Sequence, residues 1–105
     1  MIVTAGNEIS GHTITQYLGV VRGLIVRSTP TFMQGFRAAR SRISPAISYA
    51  EACEIARKES YDRLVQHAEE IGADAVIAMR FDAAEFISGV TEVLAYGTAV
   101  KFTRD

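Results

Sequence analysis

The chain is short of several things, and each shortage removes a class of protein. It has no tryptophan and a single cysteine, Cys53, among 105 residues. One thiol excludes an intrachain disulfide framework and suits a reducing compartment. There are two prolines and no repeat or low-complexity tract, so nothing marks a linker at which to divide the chain. The longest uninterrupted apolar run covers only residues 75–79, far too short to cross a bilayer. Met1 leads straight into Ile2-Val3-Thr4 without a basic stretch or a long apolar stretch, so no signal peptide is expected. Acidic residues are missing altogether from residues 9–50, where five arginines stand: Arg22, Arg27, Arg37, Arg40 and Arg42.

What remains is a globular composition. Hydrophobic residues make up 49% and charged residues 22%, which favours a packed core over disorder. The length suits one domain over residues 1–105, expected in the cytoplasm. The formal net charge of -1 conceals a division. Five arginines and Glu8 make the first fifty residues basic, whereas six bases and eleven acids make the remainder acidic.

The hydrophobic pattern predicts an α+β fold. Residues 1–5 read as a short strand closed by Gly6-Asn7. Residues 13–27 are β-branched and aliphatic, and read as one long kinked strand or two short ones. Gly19 and Gly23 within that stretch mark a bend, a bulge or a close backbone approach. Thr29-Pro30 is a helix-start signal, and Phe32, Phe36, Ala39 and Ile43 follow at helical spacing up to Ser44-Pro45. A second, longer helix is predicted over residues 49–71, about 35 Å long. Ser48-Tyr49-Ala50-Glu51 reads as its capping box, and Glu54–Lys58 and Glu59–Arg63 are favourable pairs. Its core stripe is expected to be Tyr49, Cys53, Ala56, Ser60, Leu64, Ala68 and Ile71, with Gly72 as terminator. Residues 74–82 alternate, with Ala75, Ile77, Met79 and Phe81 on one side and Val76, Ala78, Arg80 and Asp82 on the other. Ser88-Gly89 then supplies a turn into a strand over residues 91–103.

Both sides of that last strand are apolar. Val93, Ala95, Gly97 and Ala99 lie on one, and Leu94, Tyr96, Val100 and Phe102 on the other. Two helices leave little to cover a second sheet face, which predicts self-association.

Candidate ligands for a metal are Cys53, His67 and His12. No C-x-x-C, H-x-x-x-H or clustered Cys/His pair is present, so no intrachain metal motif exists in the sequence. Cys53 and His67 share a helix and lie about 40° apart around it, but about 21 Å apart along its axis. Zinc holds its ligands at about 2.0–2.3 Å, so the two cannot grip one ion within one chain. Symmetry changes that count, because one thiol per subunit becomes several around an axis. The ordinary roles are a buried small hydrophobe for Cys53, a partly exposed helix residue for His67, and a loop or strand-edge residue for His12. No phosphate loop, nucleophile elbow or dinucleotide fingerprint is present, and nothing points to an enzyme. Glu69-Glu70, in the last turn of a helix, reads as solvated surface rather than an acid–base dyad, whereas Asp82 and Glu85 flank the hairpin turn, where they could face a cleft. Arg22, Arg27, Arg37 and Arg40 form a candidate anion- or nucleotide-binding set. The sequence pI of about 6.1 and the lack of interleaved aromatics argue against nucleic acid. The alternative is packing of the basic half near the acidic helix, within or between subunits.

Several motifs in order resemble the YbjQ family. They are Ala56-Arg57 in the helix, Gly72-Ala73-Asp74-Ala75-Val76-Ile77 leading into Arg80-Phe81-Asp82, and the closing Gly97-Thr98-Ala99-Val100. Met1-Ile2-Val3-Thr4 and Gly19-Val20-Val21-Arg22-Gly23 fit as well. The resemblance implies a compact dodecin-like or YbjQ-like subunit, in which a long helix packs on a bent, mainly antiparallel sheet. It further implies a ring homo-oligomer, most often a pentamer, with strands meeting across subunits. The family carries a heavy-metal-binding label with no ligand motif to transfer. Ser41-Arg42-Ile43-Ser44-Pro45-Ala46-Ile47 stands where relatives carry a glycine pair. The functional expectation is therefore a non-enzymatic homo-oligomer, with a soft heavy metal or metalloid held at subunit interfaces. The alternatives are a scaffolding oligomer with a protein partner, and an anion-binding module.

Overall fold

The computed structural model describes residues 1–28 and 45–105. In chain order its elements are β1 (Ile2–Val3), β2 (His12–Ser28), α1 (Pro45–Glu70), β3 (Ala75–Ile87) and β4 (Val90–Arg104). The helix expected over residues 29–43, with its Thr29-Pro30 start, lies outside the described residues. The strands form one sheet in the order β1-β3-β4-β2. β1 runs parallel to β3, and the other pairs are antiparallel. One long helix on a mixed, mainly antiparallel sheet is the α+β architecture that the hydrophobic pattern predicts.

The long β-branched stretch is a single 17-residue strand rather than two short ones. Its register with β4 shifts between Ile14 and Gln16 and again between Tyr17 and Gly19. Gly19 sits at the second shift with φ of 111°, a conformation that a side chain would strain. Gly23 serves a different need. A Cβ built there would press on the carbonyl oxygen of Ser60 and lie 2.5 Å from the Leu64 nitrogen. The backbone of α1 thus rests directly on the backbone of β2.

That close approach explains the face α1 buries. The stripe is Ala52, Ala56, Ser60, Leu64 and Ala68, all within 5% exposure, a four-residue ridge made mostly of small side chains. Cys53 and Ile71, expected on the stripe, are exposed instead. A four-residue ridge runs obliquely to the helix axis, so residues placed by the straight 3.6-residue period fall off it at the ends. The helix also begins earlier than its capping box predicts. The chain is already helical at Pro45, so Ser48 lies within the helix. The end is as expected. Gly72, at φ of 79°, lets Ala73 N–H donate to Ala68 O at 3.0 Å and Gly72 N–H donate to Glu69 O at 3.0 Å.

β3 departs from simple alternation at one place. Ile77 pairs with Thr98 and Arg80 with Tyr96, so Ala78 and Met79 together oppose Gly97. Ala78 has φ of 53°, and the bulge carries Met79 to the helix side beside Val76, Val21 and Leu64. Ala75 and Ile77 face the opposite side with Val100, covered there by Ile9, Ile14 and Phe102. The expected grouping of Ile77 with Met79 is therefore wrong, because the extra residue reverses the side-chain parity. Gly97 is required opposite the bulge, since a Cβ there would lie 2.6 Å from Val76 Cγ1. The two freed N–H groups find partners in the N-terminal segment: Ala78 N–H donates to Gly6 O at 2.8 Å, and Met79 N–H to Thr4 O at 3.0 Å. Ser88-Gly89 forms the tight hairpin turn, as the sequence predicts.

Candidate functional site

α1 carries a polar row beside its buried ridge, and this row closes the outer edge of β2. Glu59 pairs with Arg27. Arg63 Nη1 donates to Leu24 O at 2.9 Å. The Arg22 N–H donates to His67 Nδ1 at 3.3 Å. Glu59, Arg63 and His67 are four residues apart, so one helix face meets the strand edge at three points. The tertiary partners on β2 displace the expected Glu59–Arg63 pair. Lys58 likewise pairs with Asp62 at 2.9 Å rather than with Glu54.

This arrangement decides what His67 can do. An N–H group can only donate, so Nδ1 supplies the lone pair and the proton of the neutral ring lies on Nε2. Metal ligation by His67 would require giving up one of these positions. Cys53 is a free, exposed thiol three turns and more away along the same helix. Among the described residues no group of three or more His, Cys, Asp or Glu side chains is placed to hold a metal ion.

The arginines do not converge. Arg27 is engaged by Glu59 and by the Val26 carbonyl. Arg22 and Arg27 differ by an odd number of residues on β2 and so project from opposite faces. Arg37 and Arg40 lie outside the described residues. The expected carboxylate pairs are structural as well. Asp82 accepts from the Ala83 N–H at 3.0 Å, Glu85 from the Gly89 N–H at 3.3 Å, and Glu70 from the Gln66 amide at 3.3 Å.

A shallow groove of about 640 Å³ lies at the start of β2, lined by Asn7, Glu8, Ile9, Ser10, His12, Thr13, Ile14 and Tyr17. His12 Nδ1 is 2.9 Å from Ser10 O. A carbonyl only accepts, so Nδ1 carries the proton and Nε2 keeps its lone pair. The ring stands edge-on to Phe102, with centroids 4.5 Å apart and planes at 71°. The sequence places His12 in a loop or at a strand edge, and it opens β2, but the groove beside it was missed. The signal in the sequence was Gly11, which takes φ of 76° immediately before His12.

Among the described residues, nothing covers the middle of the sheet face away from α1. Val20 (72% exposed), Leu24, Val26 and Tyr96 present apolar surface there, with Arg22, Arg80, Asp82 and Glu92 among them by strand register. No helix among the described residues is long and apolar enough to cross a membrane.

The geometry defines a small α+β protein with one long helix on a four-stranded mixed sheet, and a match over residues 1–103 to a family described as "Putative heavy-metal-binding" agrees with it. The chain belongs to the YbjQ family. A UPF0145 protein of Legionella pneumophila (strain Philadelphia 1) is 46% identical over 102 residues, covering 95% of this chain and 96% of the relative. A UPF0145 protein of Chromobacterium violaceum is 48% identical over 101 residues, covering 95% and 86%. A crystal structure from Pediococcus pentosaceus, of a DUF74-family protein of unknown function, superposes with a TM-score of 0.56. It is 16% identical and covers 98% of both chains, a likeness of fold alone.

Proposed function

We propose that the protein is a non-enzymatic, cytoplasmic homo-oligomer that binds a soft heavy metal or metalloid where subunits meet, with Cys53 as the principal ligand. The open sheet face carries this reading. Val20, Leu24, Val26 and Tyr96 expose apolar side chains on that face, with Arg22, Arg80, Asp82 and Glu92 between them, a mixed surface of the kind that a second subunit covers. A closed ring, five subunits in the family resemblance, supplies that cover and multiplies the exposed Cys53 thiol around an axis. The family description supports the metal, and thiolate chemistry favours a soft ion such as Cd²⁺ or Cu(I). Titration of Cd²⁺ into the purified protein under reducing conditions tests the metal half. Saturable uptake that disappears in Cys53→Ser is expected, and uptake no greater than that of the variant ends it.

A scaffolding role is the second reading, and the absence of a three-ligand group among the described residues favours it. It keeps the oligomer, drops the metal, and predicts one specific protein recovered with the assembled form. An anion-binding role ranks below both, because Arg22 and Arg27 project to opposite sides of the sheet.

A further inference from the structure

We propose that His67 is a pH-operated catch on the edge of β2: its neutral ring holds the Arg22 N–H, and its protonated ring lets it go. His67 takes no part in the metal reading above, which rests on Cys53 far up the same helix. The hydrogen bond itself dictates the behaviour. The Arg22 N–H donates to His67 Nδ1 at 3.3 Å. Only the neutral ring has a lone pair there, because both nitrogens of the charged ring are donors. Protonation therefore sets one N–H against another, and attraction becomes repulsion. His67 is half-buried rather than sealed, so protons reach it from solvent.

The surrounding charges favour opening once the ring is charged. Arg63 stands four residues earlier on the same helix face, with its guanidinium donating to Leu24 O at 2.9 Å. Like charges at that spacing repel. The Arg22 guanidinium supplies no counter-charge, and it projects from the other face of the sheet, since Val21 beside it is buried under α1. β3 and β4 present Val76, Met79, Ala95 and Ala99 to this part of the helix, all uncharged. What welcomes the charged ring lies on α1 itself. Glu70 is three residues on, where it accepts from the Gln66 amide at 3.3 Å, and Glu69 points elsewhere around the helix. His67 also stands in the last turn, where the carbonyls of the helix end attract a cation. The ring thus has two settings: neutral, it turns to the strand; charged, it turns toward Glu70 and the helix end. The consequence falls on β2, an edge strand that α1 closes at Arg22, Leu24 and Arg27. Acid opens the first of these points and frees an edge amide of the kind that pairs with another chain.

Amide exchange followed by NMR on the full chain in metal-free buffer tests this. Between pH 8 and pH 5, the range in which histidine changes charge, the Arg22 protection factor is expected to fall by about tenfold. Val21 and Gly23, whose N–H groups point to β4, should hold theirs. At pH 8 the imidazole ¹⁵N shifts of His67 should show its proton on Nε2. His67→Gln keeps a neutral side chain at both pH values, so Arg22 protection in that variant should not change with pH. His12→Gln removes the other histidine and should behave as the parent does. An Arg22 protection factor unchanged between pH 8 and pH 5 in the parent overturns the proposal. So does the same fall in His67→Gln, loss of the fall in His12→Gln, or a proton on Nδ1 of His67 at pH 8.

Discussion

At the scale of single residues the fold depends on a few positions where the backbone leaves no choice. Gly23 is one, because the helix backbone occupies the space a Cβ would take. Gly23→Ala is expected to lower stability by about 3 kcal/mol, the upper end for overpacking, since a backbone cannot rotate out of the way as a side chain can. Thermal or urea unfolding checks this, with retained circular dichroism confirming that the fold survives. Ala78 is the opposite case. It holds φ of 53°, in which a Cβ is strained and glycine is not. Ala78→Gly should raise stability by about 1 kcal/mol, offset in part by the added freedom of the unfolded chain. His67→Leu should leave the Arg22 N–H without its acceptor, costing about 1 kcal/mol and accelerating amide exchange at Arg22 above its neighbours on β2.

At the scale of elements, α1 both packs on the sheet and closes its edge. β2 is a 17-residue edge strand, and an open edge of that length invites pairing with other chains. Glu59, Arg63 and His67 block it between Arg22 and Arg27. The double variant Arg63→Ala/His67→Leu is therefore expected to aggregate at lower temperature than the parent, with increased thioflavin binding. Unchanged aggregation would show that the row does not protect the edge. Much of this level is legible in the sequence. The Ser88-Gly89 turn, the Gly72 terminator and the two faces of β4 follow from local patterning, because each depends on residues close together in the chain. What was not legible depends on distant partners. Arg27 and β2 draw Glu59 and Arg63 away from each other, a choice invisible to i,i+4 reasoning. The bulge at Ala78-Met79 is stabilised by Thr4 and Gly6, more than seventy residues earlier in sequence, and nothing in residues 74–82 announces it. The setting of His12 was hidden for the same reason, since its ring stands edge-on to Phe102 from the other end of the chain.

At the scale of the whole molecule, the charge division of the sequence resolves only in part. Arg27 meets Glu59 across the helix–sheet contact, which fits the packing of a basic half near an acidic helix. Arg22 remains on the open face beside Tyr96, with Arg80 across from it. That face governs assembly, since a four-stranded sheet with a helix on one side has apolar residues to spare on the other. Leu24→Glu should reduce the assembled mass without lowering secondary structure, because Leu24 projects from the open face and is already exposed in the single chain. The most direct test is the molar mass in solution by light scattering at micromolar concentration. A discrete multiple of the 11.4 kDa chain, shifted toward a single chain by Leu24→Glu, is expected. A stable 11.4 kDa monomer across the concentration range would contradict it.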